Sequence, residues 1–426
     1  MASTYLQRTP SSASNRKTWT WSGWVKRSSL TDSNQVLFEG IDGSGFPEKL
    51  QFTASDILEY DHDIAGTDYT VFVTDRVFRD TNAWYHIVFA KDTTQSTEAD
   101  RIKIYVNGEQ QSLSEYQLGF PPQNYDGAIN DTVAHYIGAN NGEYFNGSMS
   151  HIHFCDGTQY QASDFGQYDA NGVWTIKTSP SVTYGTNGFF ILKDGNSVTD
   201  QSGNSNNFTV GGGTLTNTED NPSNVFATLN PLIYESRSNT FSNGNLKITG
   251  GVAGDWTTHY GVSTLGMSSG KYYVEAKIAT AIGSQAMLGI IKTSQALSGS
   301  LRDFGTACID AGGRISGGGG DFQTGLTSFA SGDIAGAAFD ATNGTIQFYR
   351  NGSAYGNPVS SIASDTYYFA TNSYDTGAVV EFNFGNGYFG TTAVSSAGTN
   401  ASGIGIFEYD VPSGGYTALS TKGLNL

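Results

Sequence analysis

The amino-acid sequence predicts an all-β protein of two tandem antiparallel β-sandwiches with short terminal extensions. Its 426 residues include 54 glycines, 25 phenylalanines and 24 tyrosines, while only 14% of the residues are charged. Aromatic side chains fit half-buried strands, and glycine supplies the turns between them. A single hydrophobic core stops growing well before this length, so the length predicts two domains.

Strands of the first half are predicted from alternation and turn residues. Trp19 and Trp21 are separated by one polar residue, as expected for two side chains on one face of a strand. The apolar stretches 84–89 and 102–106 are predicted to be neighbouring core strands, and the second ends at Asn107-Gly108, a dipeptide preferred in hairpin turns. Short strands between such turns are typical of a sandwich.

A second set of strands is predicted beyond a hinge that is rich in Gly, Asn, Thr and Ser, at about residues 194–230. Strands run from 272 to 384, and residues 346–352 repeat the strand and Asn-Gly turn of residues 102–108. The four glycines at 317–320 lack the Lys-Ser/Thr ending and the helix of a phosphate loop, so they predict a turn. The second half is therefore predicted to be a second sandwich.

Charge and cysteine content exclude several classes of partner. Lys and Arg number 22 against 39 Asp and Glu, a formal net charge of -17 that repels the phosphate backbone, so no nucleic-acid partner is expected. No apolar run resembles a secretory signal or a membrane span, so we expect neither export nor membrane insertion. Cys155 and Cys308 fall in different predicted domains and are expected to be reduced, which fits folding in the cytoplasm.

Short motifs along most of residues 18–230 carry a resemblance, namely 79–80, 84–88, 101–108, 145–147, 154–157, 164–166, 172–174, 184–189, 200–208 and the connector 224–231. Together they resemble the laminin-G-like, concanavalin A-like modules of bacteriophage particle proteins. The segments 270–275, 288–290, 332–340 and 349–352 resemble a SPRY domain over roughly residues 235–390. Residues 409–424 resemble the C-terminal tail of marine phage proteins.

The domain prediction combines this resemblance with composition. The polar residues 1–17 are predicted to be an N-terminal anchoring arm, and residues 401–426 a C-terminal tail. Between them we predict a laminin-G-like (concanavalin-type) domain at 18–230 and a SPRY-like domain at 231–400. The resemblance implies a protein of the virion surface, made and assembled in the cytoplasm of the bacterial host.

Two loops have the composition of a sugar site, in which an aromatic ring stacks on the sugar while amide and carboxyl groups bind its hydroxyls. The first contains Asn140, Asn141 and Tyr144, and the second contains Trp256 and Tyr260. Ordinary turns share this composition. These five residues are the predicted glycan-binding residues.

Two metal sites are considered. Asp200-Gln201-Ser202-Gly203-Asn204 resembles a turn of laminin-G-like modules, and the resemblance implies Asp200 and Asn204 as ligands of Ca²⁺; a turn that merely closes a hairpin is the alternative. His151, His153 and Cys155 would share one face of a regular strand and suit zinc, but packing between two layers is the favoured interpretation.

Enzymatic function is predicted to be absent. Laminarinase-type enzymes of this fold carry Glu-x-Asp-x-x-Glu, and Glu59, Asp61 and Asp63 approach that motif without its second Glu. No Gly-x-Ser-x-Gly stretch precedes a predicted helix, and no Cys-x-x-Cys pair is present. A solvated acidic edge is the favoured interpretation of this run.

These observations predict a phage virion structural protein, a fibre or decoration subunit on head or tail, with lectin-like domains that contribute to attachment to host or environmental glycans. Its expected partners are other virion proteins (capsid, portal or tail), cell-surface glycans and further copies of itself in a homo-oligomer. A polysaccharide depolymerase or glycosidase, and an architectural capsid cement without a ligand, are the alternatives. The glycan role depends on analogy of fold.

Overall fold

The fold is known from a computed structural model that describes residues 3–30, 33–64, 68–117, 119–140, 142–193, 195, 197–233, 239–251, 260–280, 287–294 and 299–426. The chain divides into an N-terminal unit, Met1–Asn217, and a C-terminal unit, Thr218–Leu426. Both units are built almost entirely from antiparallel strands, which confirms the predicted fold class.

The N-terminal unit contains two large sheets. The first has eight strands in the spatial order β10 (Leu113–Gln117), β6 (Asp68–Val77), β5 (Ile57–Ile64), β4 (Pro47–Phe52), β3 (Gln35–Ile41), β11 (His135–Ile137), β1 (Tyr5–Arg8) and β18 (Thr209–Gly212). The second has six, in the order β17 (Phe189–Ile191), β14 (Gly147–Asp156), β2 (Thr18–Arg27), β7 (Tyr85–Asp92), β8 (Ile102–Val106) and β9 (Glu109–Gln110). Two small hairpins complete the unit, β12 (Ala139–Asn140) with β13 (Glu143–Tyr144) and β15 (Gly166–Tyr168) with β16 (Trp174–Ile176).

Aromatic side chains from both sheets fill the core of the N-terminal unit. Trp21 and Phe89 of the six-stranded sheet and Phe38 of the eight-stranded sheet are at most 2% exposed and belong to one cluster. A fully buried ion pair also crosses this core, from Lys91 Nζ on β7 to Glu48 Oε1 on β4 at 2.5 Å. The residues that alternate along each predicted strand thus point in turn toward this core and toward the outer face of the sheet.

The C-terminal unit has the same two-sheet plan. One sheet follows the order β19 (Thr240–Ser242), β20 (Lys247–Thr249), β31 (Val379–Asn383), β22 (Lys271–Thr280), β27 (Ile334–Asp340), β28 (Thr345–Arg350) and β29 (Ser353–Val359), with β34 (Thr417–Ala418) parallel to β22. The other follows the order β21 (Tyr260–Val262), β30 (Tyr367–Asn372), β23 (Met287–Lys292), β24 (Ala307–Asp310), β25 (Arg314–Gly317) and β26 (Gly320–Gln323). A hairpin of β32 (Tyr388–Phe389) and β33 (Thr392–Ala393) lies outside these sheets.

Helices are short throughout the part of the chain that the structure describes. The α-helices are α1 (Ala162–Phe165) and α2 (Leu301–Phe304), and the 3-10 turns are Glu98–Asp100 and Gly423–Asn425. Within those residues, none of the helices has the length and apolar character that crossing a bilayer requires.

Both Asn-Gly turns form as the sequence predicts. Asn107 and Gly108 have φ angles of 49° and 88°, and Asn351 and Gly352 have 49° and 78°. Type I′ hairpin turns need positive φ at both central residues, which Asn and Gly adopt most readily. The strand and Asn-Gly turn that the two halves share is therefore the same type of hairpin turn.

The predicted terminal extensions are parts of the two folds. Residues Tyr5–Arg8 form a strand between β11 and β18, so the predicted arm at 1–17 is wrong for this segment. Residues Thr417–Ala418 pair with β22, which places part of the predicted tail at 401–426 in the C-terminal unit. The unit boundary lies at 217/218, ahead of the predicted 230/231, because Phe226 and Leu229 make β-bridges to Ser420 and Ser263 of the C-terminal unit.

Candidate functional site

A row of charged side chains crosses the eight-stranded sheet of the N-terminal unit. Glu39 on β3 lies opposite Lys49 on β4, and Lys49 lies opposite Asp61 on β5. Their chain neighbours Phe38, Leu50 and Tyr60 belong to the core, so the charged row lies on the other face of the sheet. Gln51 and Glu59, a second opposing pair on β4 and β5, share that face.

The hairpin of β12 and β13 lies against β3 beside this row. Its Glu143 places Oε2 3.9 Å from Lys49 Nζ, while Asp61 Oδ2 lies 3.4 Å from the same nitrogen. Gln51 Nε2 donates a hydrogen bond of 2.6 Å to Glu59 Oε1. We call these residues and Tyr144 the polar face: Glu39, Lys49, Gln51, Glu59, Asp61, Glu143 and Tyr144.

Glu39 is the most unusual group of the polar face. Its side chain is fully buried, and within the described part of the chain neither carboxylate oxygen has a hydrogen-bond partner. Burial raises the pKa of Glu39 to about 8; Lys49 opposes this rise, while Glu143 and Asp61 add to it. Glu39 is therefore protonated at neutral pH.

The other strand carboxylates are shifted in the same direction. Burial raises the pKa of Glu59, with Gln51 opposing, and burial raises the pKa of Asp61, with Lys49 opposing. Lys49 is 11% exposed, Asp61 18% and Glu143 36% in their side chains. Lys49, Asp61 and Glu143 are thus within reach of a ligand, whereas Glu39 lies beneath the surface.

Aromatic rings border the polar face. Tyr144 of the hairpin is half-buried, and its ring centroid lies 6.3 Å from that of Tyr5 on β1. Tyr5 in turn lies 6.1 Å from Tyr136, which is opposite Glu39 in the sheet. Rings beside clustered oxygen acceptors are the chemistry with which proteins bind sugars.

The first predicted sugar loop therefore coincides with the polar face. Tyr144 lies on the hairpin, and Asn140 on β12 pairs with Glu143 across it. The side chain of Asn140 and the whole of Asn141 lie outside the described residues.

The second predicted sugar loop does not hold an exposed ring in its described part. Tyr260 is 2% exposed, and its hydroxyl donates to the carbonyl oxygen of Gly299. A ring buried in this way does not offer a stacking surface, so the structure contradicts the prediction for Tyr260. Trp256 lies outside the described residues.

Asp200 and Asn204, the residues predicted for Ca²⁺, organise a turn. Asp200 Oδ1 accepts hydrogen bonds from the backbone N–H groups of Phe190 and Ser202, and Oδ2 accepts from Ser202 Oγ and the N–H of Asn206. Asn204 Nδ2 donates to the carbonyl oxygens of Gly185 and Gly188. Donors of the protein thus bind both oxygens of Asp200. This arrangement is the one expected of a turn that closes a hairpin, the alternative to a Ca²⁺ site.

The segment considered for zinc has a break in its alternation. His151 has a φ of 50°, and the register of β14 against β2 shifts between Ser150 and His153. His153 packs 3.9 Å from the Phe190 ring and shares a 2.8 Å hydrogen bond with Tyr184 Oη. In the described part of the chain, His, Cys, Asp and Glu side chains form no cluster of three or more suited to a metal ion.

Sequence reasoning found Glu59 and Asp61 but missed Glu39, Lys49 and Gln51. The available signal was a charged residue in the middle of the apolar stretch 36–41, and alternation places that residue on the face away from the core. Glu39 is nevertheless buried, on a strand against which β12 and β13 lie from about a hundred residues further along the chain. That contact is not visible in a local pattern.

Comparison with known families identifies both domains. Residues 2–162 match the laminin G-like family described as the concanavalin A-like lectin/glucanases superfamily, and residues 271–387 match the SPRY domain. The chain therefore carries a concanavalin-like, laminin-G-type domain followed by a SPRY domain, and the predicted order is confirmed. Both domains fit a role in binding or structure, and the polar face lies within the first match.

Solved structures with similarity to the chain include two SPRY domains and a pentraxin. The SPRY domain of human HERC1 is 22% identical, with a TM-score of 0.30, and the match covers 34% of this chain and 92% of that one. The heptameric SAP-like pentraxin from Limulus polyphemus is 14% identical (TM-score 0.28; 38% and 72% covered), and the TRIM65 PSpry domain is 12% identical (TM-score 0.29; 37% and 88% covered). No curated protein matches the chain at a significant level.

Replacing Glu39 with glutamine is expected to change how stability depends on pH. Because the pKa of Glu39 rises to about 8 on folding, the folded protein holds a proton there that the unfolded chain loses near pH 4.5, so stability declines as pH rises from 4.5 to 8. The free energy of unfolding of Glu39→Gln does not decline in this way, so its difference from the wild type grows by up to about 1.4 kcal/mol per pH unit in that window. Urea unfolding at pH 5 to 9 measures it; a constant difference between the two proteins would contradict the assignment.

Proposed function

We propose that this chain is a non-enzymatic structural protein of the phage virion surface, a fibre or decoration subunit that attaches the particle to host or environmental glycans through the polar face. The tandem concanavalin-like and SPRY domains support a binding and structural role. The virion location is supported by the resemblance of residues 18–230 and 409–424 to phage particle proteins. Other virion proteins and further copies of the chain are the proposed protein partners.

One observation carries the glycan role. The hairpin that holds Tyr144 and Glu143 lies beside a sheet face that presents Asp61 and Lys49. A ring provides a stacking surface, while carboxylates and an ammonium group bind hydroxyls, so the ingredients of a sugar site occur at one place.

The non-enzymatic proposal has its own support. A general acid must reach the glycosidic oxygen of the substrate, yet the one strongly protonated carboxyl of this face, Glu39, is fully buried. Glu59 and Asp61 are bound to Gln51 and Lys49. Incubation with algal and bacterial polysaccharides is expected to give no new reducing ends; release of reducing ends that Glu59→Gln abolishes would support the depolymerase instead.

The virion role is tested on intact particles. Gold-labelled antibodies raised against the purified chain are expected to decorate the head or tail in electron micrographs of purified phage. Particles that stay unlabelled, while the free protein is detected in the host lysate, would contradict the virion location without touching the glycan role.

Replacing Tyr144 with alanine is expected to weaken glycan binding about twofold to tenfold, if stacking on the ring contributes as much as an aromatic pair, of the order of 0.5–1.5 kcal/mol. A glycan array of the purified protein, followed by titration of the best ligand, measures this. Tyr168→Ala is the matched control, since Tyr168 is an exposed tyrosine (53%) on the other small hairpin of the same unit. Equal losses in both variants would rule out the polar face as the binding surface.

A further inference from the structure

The polar face carries an excess of negative charge around a single ammonium group. Four carboxyl groups, those of Glu39, Glu59, Asp61 and Glu143, lie around Lys49, and Lys49 forms ion pairs within 4 Å with Asp61 and Glu143. Even with Glu39 protonated, three carboxylates face one cation. A cationic ligand is therefore favoured over an anionic one.

The same face holds unsatisfied hydrogen-bond acceptors. Both oxygens of Glu39, Oε1 of Gln51 and Oδ1 of Asp61 are buried without a hydrogen-bond partner among the described residues. Glu39 is fully buried, and its charged neighbours on β4, β5 and β13 surround it. Oε1 of Gln51 and Oδ1 of Asp61 are acceptors, so their missing partners are donors, and the buried carboxyl of Glu39 likewise accepts a donor once it loses its proton.

The spacing of these groups favours a ligand with several donors over one metal ion. Glu39 and Asp61 lie two strands apart, about 10 Å between backbones, with Lys49 between them. A cation such as Ca²⁺ needs its oxygens within about 2.3–2.6 Å. No three acidic or histidine side chains in the described part of the chain meet that requirement.

We propose that the polar face selects sugars that carry a free ammonium group, and that Lys49 acts as an exchangeable cation. The ligand's ammonium takes the place of Lys49 between Asp61 and Glu143. The Lys49 ammonium then turns to the vacant carboxyl of Glu39, which lies directly opposite it on β3. This proposal rests on the proposed glycan role and narrows it to amino sugars without an N-acetyl group.

Lys49 is placed between the two carboxyl groups that this exchange uses. It lies opposite Glu39 on one side and opposite Asp61 on the other, and its charge opposes the rise in pKa of both. Transfer to Glu39 replaces one ion pair by another and gives the buried carboxyl its first hydrogen-bond donor. Binding is then accompanied by loss of the proton from Glu39 to solvent.

The test is calorimetric titration of the full chain at pH 6, where the amino groups of the probe are protonated, with glucosamine tetrasaccharide and, as a neutral probe of equal length, N-acetylglucosamine tetrasaccharide. The free-amine probe is expected to bind at least tenfold more tightly. Asp61→Asn and Glu143→Gln are each expected to reduce its affinity at least fivefold. Glu98→Gln, which removes a charge from an exposed side chain of the same unit, is expected to leave it unchanged.

Lys49→Met separates this proposal from simple glycan binding. Because Lys49 competes with the ligand's ammonium for Asp61 and Glu143, the variant is expected to bind the free-amine probe as tightly as the wild type or more tightly; a loss of affinity would overturn the exchange. Equal binding of the two probes would overturn the ammonium selectivity while leaving the glycan role in place. Binding of neither probe, together with an empty glycan array, would overturn both.

Discussion

Replacing Lys91 with methionine is expected to lower the free energy of unfolding of the N-terminal unit by about 3–5 kcal/mol. Lys91 and Glu48 are both fully buried and join the two sheets through the core. Burial alone would raise the pKa of Glu48, but Lys91, His62 and the N–H of Ile129 lower it to about 2. Without Lys91, a carboxylate remains in the core with no counter-ion.

Tryptophan fluorescence during urea unfolding measures this effect, because five of the six tryptophans lie in the N-terminal unit. Lys103→Met serves as the control, since Lys103 pairs with the half-exposed Asp100 at the surface and is expected to cost less than about 1 kcal/mol. The double variant Lys91→Met with Glu48→Leu is expected to recover part of the loss, because it removes both charges. A cost for Lys91→Met no larger than that for Lys103→Met would contradict the role of the pair.

Replacing Glu275 with alanine is expected to destabilise the C-terminal unit by about 3 kcal/mol or more and to release the segment around residue 408. The fully buried Glu275 accepts 2.9 Å hydrogen bonds from the backbone N–H groups of Glu408 and Tyr409 and longer ones from Tyr273 Oη and Asn383 Nδ2. Alanine leaves these donors without their acceptor, and each buried unpaired group costs about 1–3 kcal/mol.

Limited proteolysis followed by mass spectrometry measures the release. Cleavage within residues 395–416 is expected to accelerate at least tenfold in Glu275→Ala. In Glu219→Ala, which alters an exposed side chain of the same unit, the cleavage rate is expected to match the wild type. If the segment stays resistant in Glu275→Ala, the C-terminal residues are held by other contacts and the role assigned to Glu275 is wrong.

The fold was largely predictable because its signals are local. Trp19 and Trp21 alternate with polar residues in sequence, and both rings are buried in the core. Asn107-Gly108 and Asn351-Gly352 form the expected turns, since positive φ is a property of those two residues. The order of the two domains followed from motifs that the family comparisons confirm.

The terminal segments were predicted less well because their partners are remote. Tyr5–Arg8 pairs with Thr209–Gly212, some two hundred residues away, and a short polar segment gives no local sign of such pairing. The break at His151 is equally hidden, because a non-glycine residue with positive φ depends on the surrounding structure.

The candidate site was predictable only in part. The sequence indicated the acidic residues 59 and 61 and the aromatic ring at 144 as members of separate motifs. Only the folded sheet and its hairpin bring these motifs together. Glu39 was not predicted because alternation places it on the solvent face, whereas it is fully buried on a strand against which the hairpin of β12 and β13 lies. The virion location and the glycan partner remain predictions of the resemblance.

Hydrogen–deuterium exchange of the intact chain, with and without glucosamine tetrasaccharide, tests most directly whether the polar face is the binding surface. Binding is expected to slow exchange in residues 36–64 and 136–144 and to leave the C-terminal unit unchanged. Protection confined to the C-terminal unit, or to the other sheet of the N-terminal unit, would contradict the assignment of the polar face.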